Sequence, residues 1–90
     1  MKITVYSNQN CGPCVATKTA MKRAEIEFTE ASASNVAEQL RSLGFSSAPV
    51  VIVQTENGPV GWSGFRPDLI RKLEDGHAQG TELGPIAMTL

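Results

Sequence analysis

The tightest constraint on this chain is Cys11-Gly12-Pro13-Cys14, which holds both of its cysteines. Directly before it, Lys2-Ile3-Thr4-Val5-Tyr6 alternates in the manner of a strand, and Ser7-Asn8-Gln9-Asn10 is a polar loop. Directly after it, Pro13 suits the first turn of a helix, where a missing N–H is not needed. Ala16, Ala20 and Ala24 then recur at helical spacing beside Val15 and Met21, which predicts a helix from Pro13 to Ala24 with Lys18, Lys22 and Arg23 outside. A cysteine pair at a strand-to-helix turn is a redox signal.

The rest of the chain supplies partners for this unit. Ile26-Glu27-Phe28-Thr29-Glu30 alternates and predicts a second strand, followed by an Ala31–Ser34 loop. Ser34 or Asn35 is placed to cap a second helix, Asn35 and Glu38 resemble a capping box, and Val36, Ala37, Leu40 and Leu43 form its apolar stripe before Gly44. Pro49-Val50-Val51-Ile52-Val53 is continuously apolar and β-branched, as a strand covered on both faces must be. Asn57-Gly58 is a hairpin turn signal, so Val60-Gly61-Trp62 returns as its antiparallel neighbour. Pro67, Asp68, Leu69, Ile70 and Leu73 then predict a last helix ending at Gly76.

The order β-α-β-α-β-β-α predicts a thioredoxin-like α/β fold: a four-stranded mixed sheet flanked by three helices. The three strands joined by helices are expected to run parallel, and the hairpin strand antiparallel. Residues 1–76 are expected to form this one domain. Residues 77–90, with Gly80, Gly84 and Pro85 and no sustained period, read as a flexible tail.

Composition removes several classes of function. Eight Lys and Arg against nine Asp and Glu give a net charge of -1, so there is no basic field for nucleic acid. Apolar alternation begins at once after Met1-Lys2, leaving no room for a leader, and no run approaches the roughly 18 apolar residues of a membrane span. The expected location is the cytoplasm, where thiols are kept reduced and an isolated Cys-x-x-Cys is catalytic rather than a structural staple.

Disulfide exchange needs a thiolate, and Cys11, just ahead of a helix, faces the free N–H groups and positive dipole end that stabilise one. Cys14, one turn on, is placed to attack the mixed disulfide that Cys11 forms with a substrate. Gly12 allows close approach of a substrate chain, and Pro13 stiffens the turn. Ala48 before Pro49 is pushed toward an extended conformation, and a cis isomer there would present the Ala48 backbone to an incoming peptide.

Three stretches together resemble the NrdH-redoxins: Cys14 followed by Ala16-Thr17-Lys18, Gly44-Phe45 with Ala48-Pro49-Val50, and above all Trp62-Ser63-Gly64-Phe65-Arg66-Pro67-Asp68. The resemblance covers residues 1–76. It implies a glutaredoxin-sized dithiol carrier with no bound cofactor, a redox-active Cys11–Cys14 disulfide, and electrons from NADPH through thioredoxin reductase. The partner it implies downstream is the large subunit of class Ib ribonucleotide reductase. It makes Cys11 the nucleophile, Cys14 the resolving thiol, Ala48-Pro49 the cis-proline loop, and Trp62, Ser63, Gly64, Phe65, Arg66 and Asp68 a hydrogen-bonded surface beside the active turn. Gly12-Pro13 departs from the bulkier or polar pair usual in that family and matches the thioredoxin pair, which favours a more reducing poise.

Other readings stand beside these. A glutathione-linked glutaredoxin, or a general thioredoxin-like disulfide reductase, would use the same cysteines. A binding protein with a metal or iron–sulfur cluster shared by two chains is a third; two cysteines and His77 are too few for a four-ligand zinc site in one monomer. Trp62 and Phe65 either meet a partner or pack the hairpin end, Arg66 and Asp68 either grip a partner or pair with each other, and Lys18 either supports the thiolate or is solvated. Tyr6 and Thr4 read as packing.

Overall fold

A computed structural model describes residues 1–85. Its elements are β1 (Lys2–Ser7), α1 (Gly12–Arg23), β2 (Thr29–Ser32), a 3-10 turn (Ser34–Val36), α2 (Ala37–Ser42), β3 (Val50–Thr55), β4 (Gly58–Ser63), α3 (Pro67–Glu74) and β5 (Thr81–Glu82). They form a mixed sheet in the order β2-β1-β3-β4-β5. This is the thioredoxin-like architecture, with three helices over the two faces of the sheet.

The sheet is central because its middle strand has no polar side to offer. Val50, Val51, Ile52 and Val53 are all at most 2% exposed. Alternation then divides them between two cores. On one face Val51 and Val53 join Ile3, Val5, Met21, Trp62, Ile70 and Leu73 beneath α1 and α3. On the other, Val50 and Ile52 join Tyr6, Leu40 and Phe45 beneath α2.

Four expectations are corrected. First, β1 pairs parallel with β2 but antiparallel with β3, with Tyr6 opposite both Ala31 and Val50. The six residues of α2 span only about 9 Å, whereas the six of β3 span about 20 Å. Such a helix does not carry the chain back along the sheet for a parallel return, so β3 starts where β2 stops. Second, β2 begins at Thr29 rather than Ile26, because Ile26 and Phe28 are drawn onto the α1 side of the core as a loop.

Third, the sheet has five strands, not four: Thr81 and Glu82 pair with Gly61 and Val60. Two residues are too few to show a period, and the chain reaches β4 through Gly80, where a side chain would lie 2.7 Å from the Gly61 carbonyl oxygen. Gly61 is closely packed as well, since a side chain there would lie 2.7 Å from the Val51 oxygen of β3. Fourth, neither Ser34 nor Asn35 caps α2. Ser34 Oγ instead bonds Ser32 Oγ (2.9 Å), and Val36 in the capping position has no side-chain hydrogen bond to give.

All three helices close in the same way. The amide two residues past the cap returns to a carbonyl in the last turn: Ile26 N–H to Met21 (2.9 Å), Phe45 N–H to Leu40 (3.0 Å) and His77 N–H to Lys72 (2.8 Å). The left-handed residue this motif needs is Gly44 after α2 and Gly76 after α3, but Glu25 after α1, with φ of 58°. Ile26 and Phe45 follow their motifs into the core.

Candidate functional site

The site begins with Asn10, whose φ of 55° turns the chain sharply between β1 and α1. Asparagine tolerates that region better than most residues. Cys11 follows as the N-cap of α1, extended at φ -116° and ψ 103°, with its Sγ accepting the Cys14 amide hydrogen at 3.2 Å. The Val15 amide donates to the Cys11 carbonyl (3.1 Å), the first bond of the helix. Pro13 occupies the first turn, where it costs no hydrogen bond.

Cys11 and Cys14 are joined by a disulfide, with Cα atoms 5.2 Å apart. Their exposure differs sharply: Cys11 is half-buried and Cys14 is 1% exposed. An attacking substrate therefore meets Cys11 first. Cys14 faces inward with Thr17 and Met21, both fully buried, and Thr17 Oγ1 donates to the Pro13 carbonyl at 2.8 Å. That face was expected to carry Val15, which instead stands 60% exposed beside the turn. The helix is rotated so that its cysteine and threonine, not its valine, enter the core.

Opposite the turn lies Ala48-Pro49. Their peptide bond is cis, and the Ala48 oxygen is 3.8 Å from Cys11 Sγ. In the disulfide this is a contact without a hydrogen; a Cys11 S–H would have this oxygen within reach. Pro49 is fully buried, and its carbonyl accepts the Gly64 amide hydrogen at 2.8 Å. This bond ties the Trp62–Asp68 run to the active turn. Gly64 bends there with φ of 84°, a conformation that a side chain rarely adopts.

The run itself divides by burial. Trp62 is 3% exposed and belongs to the core, Ser63 and Gly64 are half-buried, and Phe65, Arg66, Pro67 and Asp68 are exposed. Arg66 grips Asp68 with two bonds, Nε to Oδ1 at 3.1 Å and a terminal nitrogen to Oδ2 at 2.9 Å. That hydrogen bond pulls the Asp68 carboxyl below its usual range and raises the Arg66 guanidinium. Phe65 is left 41% exposed next to the pair.

One cluster was not foreseen. Lys18 is neither a free surface lysine nor simply a thiolate partner: its Nζ pairs with Glu30 Oε2 at 2.6 Å, and Ser7 Oγ donates to the same oxygen at 2.9 Å. Finding Glu30 required the β1–β2 register, which the sequence did not show. The hydrogen bonds from Lys18 and Ser7 lower the Glu30 carboxyl. Tyr6 behaves as the packing residue expected, with burial pushing its hydroxyl up. Among the described residues no group of three or more His, Cys, Asp and Glu is placed to hold a metal, and no helix is long and apolar enough to cross a membrane.

A helix-capping cysteine linked to a buried one, facing a proline loop on this sheet, defines a thiol–disulfide oxidoreductase of thioredoxin-like fold. The family model Glutaredoxin matches residues 3–57. The glutaredoxin-like protein NrdH of Escherichia coli K12 is 43% identical over 76 residues, 81% of this chain and 89% of that protein. The chain belongs to the glutaredoxin family, among its NrdH-type glutaredoxin-like redox proteins, carriers with no cofactor of their own.

More distant relatives agree. NrdH of Lactococcus lactis subsp. cremoris MG1363 is 34% identical over 74 residues, 79% of this chain and 97% of that one. The solved structure of the E. coli NrdH-redoxin, described for its thioredoxin-like activity profile, superposes with a TM-score of 0.72 at 42% identity. It covers 81% of this chain and 95% of that one. A Plasmodium falciparum thioredoxin shares the fold alone, with a TM-score of 0.61 at 18% identity over 86% of this chain and 85% of that one.

Proposed function

We propose that this chain is a cytoplasmic electron carrier that takes electrons from NADPH through thioredoxin reductase and delivers them to the large subunit of class Ib ribonucleotide reductase. The observation that carries the reading is the tie from Gly64 to Pro49, which fastens the exposed Phe65, Arg66 and Asp68 run to the proline loop that faces Cys11. Phe65 beside the Arg66–Asp68 pair gives an exposed face that is part apolar and part ionic, which suits a protein partner.

In this reading Cys11 attacks the acceptor's disulfide as a thiolate, breaking its S–S bond and forming a mixed disulfide. Cys14 then attacks the Cys11 sulfur, releasing the second acceptor thiolate and closing Cys11–Cys14. Two electrons pass from dithiol to acceptor. Gly12 and Pro13 shape the turn, Ala48 and Pro49 offer the backbone edge, and Trp62, Ser63 and Gly64 hold the exposed run from beneath. The redox unit works as a monomer.

Reconstitution tests the acceptor: NADPH, thioredoxin reductase, this chain and a class Ib ribonucleotide reductase, with product deoxynucleotide measured. Turnover that depends on this chain is the expected result. No deoxynucleotide formed through this chain, while the same mixture still reduces insulin through it, would replace the reading with that of a general disulfide reductase.

A further inference from the structure

Beside Cys11 an open groove of about 1070 Å³ runs between α1 and β2, entered by Cys11, Gly12 and Val15 from one side and by Ser7, Glu30 and Ser32 from the other. Lys18 and Glu30 are the only charged side chains that line it among the described residues. They meet at 2.6 Å, and the constellation is anchored: Ser7, itself 8% exposed, donates to the Glu30 oxygen that also holds Lys18. Lys18 is the less exposed partner, with 24% of its side chain accessible against 50% for Glu30. The groove thus carries a fixed cation whose charge is cancelled by a tethered carboxylate.

We infer that Glu30 is a specificity-determining residue that selects substrates by charge: by neutralising Lys18 it fits the groove to uncharged substrate flanks and denies carboxylate-bearing disulfides an attractive site beside Cys11. The inference rests on the thiol–disulfide exchange at Cys11 described above. An acceptor disulfide must reach Cys11, and whatever flanks its sulfur on the α1–β2 side enters this groove. With the pair intact, such a flank meets no net charge. Without Glu30 it would meet an ammonium group at short range, where a carboxylate is attracted and an amine repelled.

Glu30→Gln is the clean perturbation, because the amide keeps an oxygen for Ser7 and Lys18 while losing the charge. Lys18→Met does the reverse, and the double variant restores neutrality. Each protein, reduced beforehand with dithiothreitol and freed of it, is mixed at low ionic strength with one of three small disulfides. These are the dicarboxylate dithiodipropionate, neutral hydroxyethyl disulfide and cationic cystamine, and the rate of Cys11–Cys14 closure is read.

Expressed as variant over wild type, the intrinsic reactivity of each disulfide cancels. Glu30→Gln is expected to react about two- to fivefold faster with the dicarboxylate and slower with cystamine by a similar factor, the size of an exposed pair's interaction. The neutral disulfide should change little. Lys18→Met should invert the pattern, the double variant should return to wild-type ratios, and 1 M salt should flatten all three. Equal changes for the three disulfides, or no change, would overturn the inference. A wild-type protein that reacts with none of them would instead contradict the exchange chemistry itself.

Discussion

The amide of Cys14 donates to the sulfur of Cys11 at 3.2 Å, so the two cysteines meet through a hydrogen bond as well as through their disulfide. The donor belongs to the residue that must later attack, and the acceptor is the atom that must carry negative charge. Helix capping and catalysis are the same interaction here. Cys11 stabilises the helix start as a serine cap would, and the helix start stabilises Cys11 as a thiolate.

Exposure assigns the order of attack. With a protein disulfide such as insulin, Cys14→Ser is expected to accumulate a mixed disulfide through Cys11, visible by non-reducing electrophoresis and mass spectrometry. Cys11→Ser, whose remaining thiol is 1% exposed, should accumulate none. Equal trapping by the two variants would reverse or abolish the roles.

The rotated face of α1 predicts an asymmetry in stability. Met21 is fully buried and Val15 is 60% exposed. Met21→Ala should cost about 2–5 kcal/mol, whereas Val15→Ala should stay within about 0.5 kcal/mol. Urea unfolding at fixed redox state measures both. Comparable losses would place the helix in the orientation its alanine spacing suggested.

Glu25 ends α1 in a conformation that favours glycine, with φ of 58°. Glu25→Gly should therefore stabilise the protein by about 0.5–1 kcal/mol, relief of left-handed strain outweighing the added freedom of the unfolded chain. A lower urea midpoint would contradict this account of the helix end.

The Glu30 carboxyl lies below the ordinary glutamate value of 4.5, chiefly through the hydrogen bonds from Lys18 and Ser7. A depressed carboxylate contributes stability that is present above its unfolded value and lost as pH falls through the folded one. The stability difference between the protein and Glu30→Gln should therefore be full at neutral pH and decline below about pH 4.5. Urea midpoints from pH 7 down to pH 3 at low salt measure it. A difference that grows on acidification would contradict the sign.

What the sequence made legible was local. Cys11 to Cys14 and the buried run Val50–Val53 each state their own structure within a few residues and are found where expected, and the hairpin turn lies one residue early, at Glu56-Asn57, with Gly58 already paired to Thr55. What it hid depends on registers between distant segments. The antiparallel β3 follows from how short α2 turns out to be, and β5 depends on pairing with Val60 and Gly61, twenty and more residues away. Glu30 reads as one more strand glutamate until β2 is laid beside β1, placing it against Ser7 and Lys18. Trp62 looked like the head of a contact surface, yet register with Val51 turns it into the core and leaves Phe65 to Asp68 outside.

The source of electrons is the most direct test of the whole account. NADPH oxidation with insulin as acceptor should be followed twice, once with thioredoxin reductase and once with glutathione and glutathione reductase. Turnover through this chain is expected with thioredoxin reductase, and little above background with glutathione. Efficient turnover with glutathione and none with thioredoxin reductase would contradict it.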